Sequence, residues 1–407
     1  MHQTHHLQII SVFRHICRLL IVCFALSLAG CSAIGDVKES MSEKIFGKED
    51  PNPPAVLADF KPTVEAKIQW HIKVGDTGTF DFTPVVDTNA VFAASTDGDI
   101  VKVNLATGVQ EWRINAGEKL SGGVGIGQGT TGQNIVLVGT VHGAVLAYDY
   151  TGKVLWKAKL SSEVLSAPRV FDGVVIVRSA DNHIVGLNAN DGSRKWVYQR
   201  ASPALSLRSS AGLVVDGGAV YAGFAGGKMV ALRADNGNIL WEATVAQPKG
   251  VTEIERIADI TSLPVVDSGL VYAVAYQGKI AAIDRKNGRA VWSRDISSLN
   301  GLTTDAGKVF VSHTAGSVYA LDDSAGKTFW RQPGLLNRKI TSPISLGAIV
   351  AVGDFEGYVH FLNREDGAFA ARIKTDSSAV MPQMVAIGNS QVVAQTRDGG
   401  LFAISLK

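Results

Sequence analysis

Gly278-Lys279-Ile280-Ala281-Ala282-Ile283-Asp284-Arg285-Lys286-Asn287-Gly288-Arg289-Ala290-Val291-Trp292 reads as two strands and the turn that joins them. A glycine opens an apolar segment, an aspartate closes it, and Gly288 offers the positive φ that a tight turn demands. A tryptophan follows four residues later. All seven tryptophans recur on this pattern: Trp70, Trp112, Trp156, Trp196, Trp241, Trp292 and Trp330, at spacings of 42, 44, 40, 45, 51 and 38. Six of them follow a glycine by four residues (Gly108, Gly152, Gly192, Gly237, Gly288 and Gly326). Gly367 is followed at that distance by Ala371, so one unit has lost its tryptophan.

Two further signatures share the period. Gly98, Gly143, Gly227, Gly278, Gly316, Gly357 and Gly399 each precede an alternating apolar segment, with Asn182 in that place once. Pro84, Pro168, Pro264, Pro343 and Pro382 open apolar strands, where a missing N–H costs no ladder bond. One unit therefore predicts four strands, in the first case 84–86, 90–94, 100–104 and 111–114. A repeated four-stranded unit of this length is a propeller blade. The indoles are expected to pack on the neighbouring blade. The last unit stops at Lys407 without a tryptophan strand, and Ile68-Gln69-Trp70-His71-Ile72 is such a strand with no unit before it. The two fragments complete each other. The expected fold is all-β: an eight-bladed β-propeller of four-stranded antiparallel blades over 64–407, closed by an N-terminal strand that completes the C-terminal blade.

Composition agrees. Gly is 43 of 407 residues, 46% are hydrophobic and 19% charged, which suits many short strands and excludes disorder. The leader contributes only Arg14 and Arg18, and the rest is formally neutral, so no electrostatic footprint for nucleic acid exists. The three cysteines, Cys17, Cys23 and Cys31, all lie near the N-terminus, which excludes disulfides and thiol chemistry in the body.

The first thirty residues read as an export signal. A basic stretch precedes an apolar run, 19–28, that rises only about 15 Å as a helix, half a bilayer core. Residues 33–61, with Pro51, Pro53 and Pro54 and mixed charge, read as a tether. The expected organisation is signal peptide 1–30, anchored Cys31 and tether 31–63, and propeller 64–407.

Chemical motifs are weak. Gly127-Gln128-Gly129-Thr130-Thr131-Gly132 matches a dinucleotide fingerprint but falls between two strands with no helix after it. His71, His142, His183, His313 and His360 fall in different blades, so neither a metal nor any other cofactor is expected. Irregularity lies elsewhere. The distance from tryptophan to the next blade's proline is 12 to 14 residues at three junctions but 23 from Trp241 to Pro264, an insertion within 246–259. The junction before it, Pro203-Ala204-Leu205-Ser206-Leu207-Arg208, sets two leucines beside an arginine. Both connectors emerge on one face of a propeller. Leu205, Leu207, Arg208 and Asp259 are therefore expected to form one patch with the composition of a protein-binding hot spot.

These residues carry three resemblances. Leu28-Ala29-Gly30-Cys31 resembles the lipobox of bacterial lipoproteins, which implies acylation of Cys31 and, with Ser32 next, an outer-membrane destination. The Asp/Asn-x-x-x-Gly-x-x-x-Trp unit resembles the pyrroloquinoline-quinone-like repeat of eight-bladed propellers. The combination with Pro203 to Arg208 and Thr252-Glu253-Ile254-Glu255-Arg256 is similar to the propeller lipoproteins of the outer-membrane β-barrel assembly machinery. That resemblance implies a non-enzymatic scaffold whose Leu205, Leu207, Arg208 and Asp259 contact the periplasmic domains of BamA, the machinery's barrel subunit, beside its other subunits. Thr261 stands where that family has a second aspartate. Unfolded outer-membrane proteins could then add a strand to exposed blade edges. A quinone dehydrogenase and a general envelope-binding propeller remain as alternatives; the former would need a quinone and calcium.

Overall fold

The computed structural model describes residues 52–201 and 203–407; the expected signal and Cys31 lie outside the described residues. Eight four-stranded antiparallel sheets follow one another along the chain. Seven are built from consecutive strands, at 85–115, 125–159, 169–199, 213–244, 265–294, 302–332 and 344–374. The eighth joins Val385–Ile387, Gln391–Gln395 and Gly400–Leu406 to Ala66–Lys73 from the other end of the chain. Ala66 pairs with Leu406 and Lys73 with Gly400. The ring is thus closed by its ends, as the unmatched tryptophan strand required.

The core is divided into eight apolar clusters, one at each junction between blades. A middle strand is buried on both faces, so it is apolar throughout: Ala90–Ala94 and Ala219–Phe224 have no exposed residue. The tryptophans sit on the outer strands and reach across. Each indole Nε1 donates to a main-chain carbonyl of the next blade, at 2.7–3.1 Å, from Trp70 to Leu105 through Trp330 to Arg364. A bulge precedes each one. Ala282 pairs with Trp292 but Ile283 pairs with Ala290, leaving Val291 as the extra residue, and the other blades repeat this slip. The bulge persists at Ala371, where no tryptophan remains. It is therefore a property of the strand pair, and it re-aims the following side chain.

The turn signature holds with one shift. Gly98, Gly143, Gly227, Gly316, Gly357 and Gly399 and Asn182 all have positive φ, but in the fifth blade Gln277 takes the left-handed conformation instead of Gly278.

Residues 55–60, which the sequence assigned to the tether, are held against the ring. Ala55 N donates to Leu336 O at 2.9 Å, Leu57 packs into the cluster around Trp330, and Phe60 stacks on Phe369 with ring centroids 5.5 Å apart. Leu57 and Phe60 are apolar anchors that bind this segment to the ring.

Candidate functional site

Propeller connectivity sends every link between an outer strand and the next inner strand to the same face. Residues 200–212 and 245–264 are two consecutive links there. Leu205 is 43% exposed and Arg208 is exposed, while Leu207 is half-buried. The sequence brought these three together with Asp259, and the structure does place them side by side. Asp259 has a different part from its neighbours, being only 3% exposed. Its Oδ2 accepts from Leu207 N at 2.7 Å and its Oδ1 from Gly226 N at 2.9 Å. The carboxylate thus pins the 205–208 loop from beneath. Two charge-assisted bonds to backbone amides are strong enough to fix a loop that has no strand of its own.

Arg208 does not pair with Asp259. Its Nη2 and Nε donate to Glu163, at 2.8 and 3.2 Å, and its guanidinium lies 5.2 Å from the Phe80 ring. Such a half-exposed ion pair contributes at most about 1 kcal/mol, so it exchanges readily for another carboxylate. Thr261 Oγ1 donates to Leu299 O at 2.8 Å, and its carbonyl accepts from Ser209 Oγ at 3.2 Å. A carboxylate in that place could not make the first bond, so the threonine ties the loop to the following connector.

The insertion is ordered by a capping box. Glu255 accepts from Val251 N and Thr252 N, at 2.8 and 3.0 Å, and Thr252 Oγ1 accepts from Glu255 N at 3.2 Å. These reciprocal bonds lower the Glu255 pKa below the usual carboxylate range. They also hold Val251 and Ile254 out into solvent. The face thus carries Leu205, Val251 and Ile254 as exposed apolar groups, with Arg208 among them.

The same face covers the mouth of the axial funnel. Ser210 Oγ donates to Asp81 Oδ2 at 2.7 Å, and Gln383 Nε2 to Asn300 O at 3.3 Å, each joining non-adjacent connectors. Among the described residues no three His, Cys, Asp or Glu are close enough together to hold a metal ion. The Gly127–Gly132 motif is the end of one strand and a hairpin turn, with Gly132 at φ +79°.

Sequence reasoning missed a buried charge network in the seventh blade. Arg338 Nε donates to Asp354 Oδ2 at 2.7 Å, and His360 Nε2 lies 2.9 Å from the same oxygen. Arg372 Nε donates to His360 Nδ1 at 3.1 Å, so Nδ1 must be unprotonated and Nε2 carries the hydrogen. Arg338 also pairs with Glu356, and the two arginines donate to the carbonyls of Ala55 and Ala58. A signal was present. Three residues before the turn glycine (or Asn182) the other units carry Ser95, Thr140, Ser179, Phe224, Ala275, His313 and Thr396, and Asp354 is the one acid in that phase.

Fold and site together define an eight-bladed repeat propeller whose distinguishing features are loops elaborated on one face. A family model described as outer membrane protein assembly factor BamB matches residues 96–332. The chain is 39% identical to the assembly factor BamB of Nitrosomonas eutropha over 394 residues, 96% of this chain and 95% of that one. It is 40% identical to the Burkholderia pseudomallei BamB over 350 residues, 86% of this chain and 90% of that one. The crystal structure of BamB from Moraxella catarrhalis superposes with a TM-score of 0.76 at 30% identity, covering 84% of this chain and all of that one. The chain belongs to the outer membrane protein assembly factor BamB family.

Proposed function

We propose that this chain is a non-catalytic assembly factor of the outer membrane, a scaffold that assists folding and insertion of β-barrel proteins. The reading is supported by relatives named outer membrane protein assembly factor BamB, matched over nearly their whole length. In this reading residues 1–30 are removed on export, and acyl groups on Cys31 hold the ring at the periplasmic face of the outer membrane. The 205–208 and 246–261 loops then dock on the periplasmic domains of BamA.

The observation that carries the reading is the pinned loop. Leu205 and Arg208 are presented to solvent by a backbone that Asp259 fixes in advance, so docking orders little further chain. Leu205 and Leu207 supply apolar area, and Arg208 can trade Glu163 for an acidic group of the partner. The test is Leu207→Ala combined with Arg208→Ala in the full lipoprotein. Co-purification with BamA is expected to fall at least about tenfold while the circular dichroism spectrum is unchanged. Undiminished co-purification would mean that the loop is not the docking site.

A further inference from the structure

The inner strands begin with Val85, Gly125, Arg169, Leu213, Val265, Leu302, Ile344 and Val385. Seven of these are apolar or glycine, and Arg169 is the one charge. Its neighbour Val170 faces Gly127 of the preceding blade, where a Cβ would lie 2.3 Å from the valine. Side chains alternate along a strand, so Arg169 points the other way. It lines a cavity of about 280 Å³ in the axial funnel, walled also by Ser166, Gly212, Ser262, Asn300 and Gln383.

The Arg169 backbone pairs with Ile176 in the blade, while its guanidinium has neither a hydrogen bond nor an ion pair with any described residue. Burial pushes its pKa down, with no carboxylate to offset it. Asp81 is on the same wall but accepts from Ser210. The other cation in the wall, Arg208, is held by Glu163. Ser262 is 4% exposed and its Oγ has no partner among the described residues. Arg169 is half-buried, and its guanidinium keeps its charge and faces the cavity without a protein acceptor.

We propose that the funnel is a carboxylate-binding site, with the Arg169 guanidinium holding the two oxygens. The fork of Arg matches a carboxylate, and the Asp81 carboxylate on the same wall suits a monoanion better than a phosphate dianion. The cavity has room for the acid group together with part of the molecule that carries it. A free small acid and an acidic side chain on a polypeptide share this chemistry. The docking loop contributes Leu207 and Arg208 to the same wall, but Arg169 lies on an inner strand outside that loop, so Arg169→Gln is expected to leave co-purification with BamA intact.

The test uses the full chain in detergent micelles with ¹⁵N-labelled arginine. The Arg169 Nε–H signal is assigned by its loss in Arg169→Gln. The probes are acetate, inorganic phosphate, acetyl-Gly-Glu-Gly-amide and acetyl-Gly-Gln-Gly-amide. Acetate and the glutamate peptide should shift the signal saturably, with half-saturation below about 10 mM, and the glutamine peptide should not. In Arg169→Lys, half-saturation followed on backbone amides around the cavity should rise about tenfold, because an ammonium lacks the fork. A glutamate peptide binding several-fold tighter than acetate identifies a polypeptide as the source, and equal affinities identify a small acid. The proposal is overturned if neither carboxylate moves the signal, if the glutamine peptide moves it equally, or if phosphate binds tighter than acetate.

Discussion

Gly192 of the third blade lies against the indole of Trp156 in the second, where a Cβ at 192 would stand 2.6 Å from Trp156 Cε3. The glycine that precedes a tryptophan by four residues therefore serves the tryptophan of the blade before, except Gly152, which meets Ile114 before Trp112. Gly108, Gly237, Gly288, Gly326 and Gly367 meet Trp70, Trp196, Trp241, Trp292 and Trp330 in the same way. Gly192→Ala should destabilise on two grounds, a φ of +72° and a ring that cannot move aside. Gly132 has a similar φ of +79° and nothing within 4 Å. Urea denaturation should show a loss of about 3 kcal/mol or more for Gly192→Ala but only about 1–2 kcal/mol for Gly132→Ala. Equal losses would mean that backbone strain alone keeps the glycine.

That relationship explains how much of the fold was legible. A glycine and a tryptophan at fixed spacing mark a junction as well as a turn, so counting them counts junctions. The closing strand was readable because Trp70 lacked its own glycine. The site was legible only in part. Leu205 and Arg208 stood out as apolar and charged groups in a connector, yet burial of Asp259 depends on backbone amides 33 and 52 residues away, at Gly226 and Leu207. Nothing local distinguishes a carboxylate that faces a partner from one that holds a loop. Arg169 and Asp354 each break the pattern at a fixed phase of the repeat, and alignment of the units would have exposed both.

Asp259→Ala removes the acceptor from two backbone amides at once. The expected cost is about 2–4 kcal/mol in urea denaturation. Protease cleavage within 203–208 should accelerate, and co-purification with BamA should fall although the leucines and Arg208 are intact. Asp259→Asn keeps one acceptor oxygen and should lie between. Unchanged cleavage in Asp259→Ala would show that the loop is held by other contacts.

The His360 network gives a sign for the pH dependence of stability. Burial lowers the His360 pKa below the ordinary 6.5; Asp354 opposes this, while Arg372 and Arg338 add to it. The donation from Arg372 also occupies Nδ1, which protonation would forbid. The unfolded chain takes up a proton near pH 6.5 and the folded chain does not, so stability present above that pH is lost as the pH falls. His313 has a lowered pKa and acts in the same direction. The urea midpoint should therefore be lower at pH 5.0 than at pH 7.5. His360→Gln supplies an amide donor for Asp354 and an acceptor for Arg372, and should shrink that difference. A difference as large as wild type would place the titration at other groups.

The junction without a tryptophan is held by the chain's own N-terminal segment. An indole at 371 would have no turn to meet, because in the eighth blade the ends of the chain replace that turn, with Glu65 and Lys407 exchanging backbone bonds at 3.0 and 2.9 Å. Residues 55–63 cross the gap instead. Thr63 N donates to Ala370 O at 2.9 Å, and the Arg372 guanidinium stands 5.0 Å from the Phe60 ring, which stacks on Phe369. Phe60→Ala should lower stability by about 1–2 kcal/mol, through lost burial and the lost aromatic pair. Limited proteolysis should then cut the 54–63 stretch earlier than in wild type, and Arg372→Ala should give the same cleavage pattern. Val56, 93% exposed on the same segment, provides the control, since Val56→Ala removes no packing. If Phe60→Ala leaves the cleavage rate of Val56→Ala and wild type unaltered, the backbone bonds of Ala55 and Thr63 are sufficient to hold the segment.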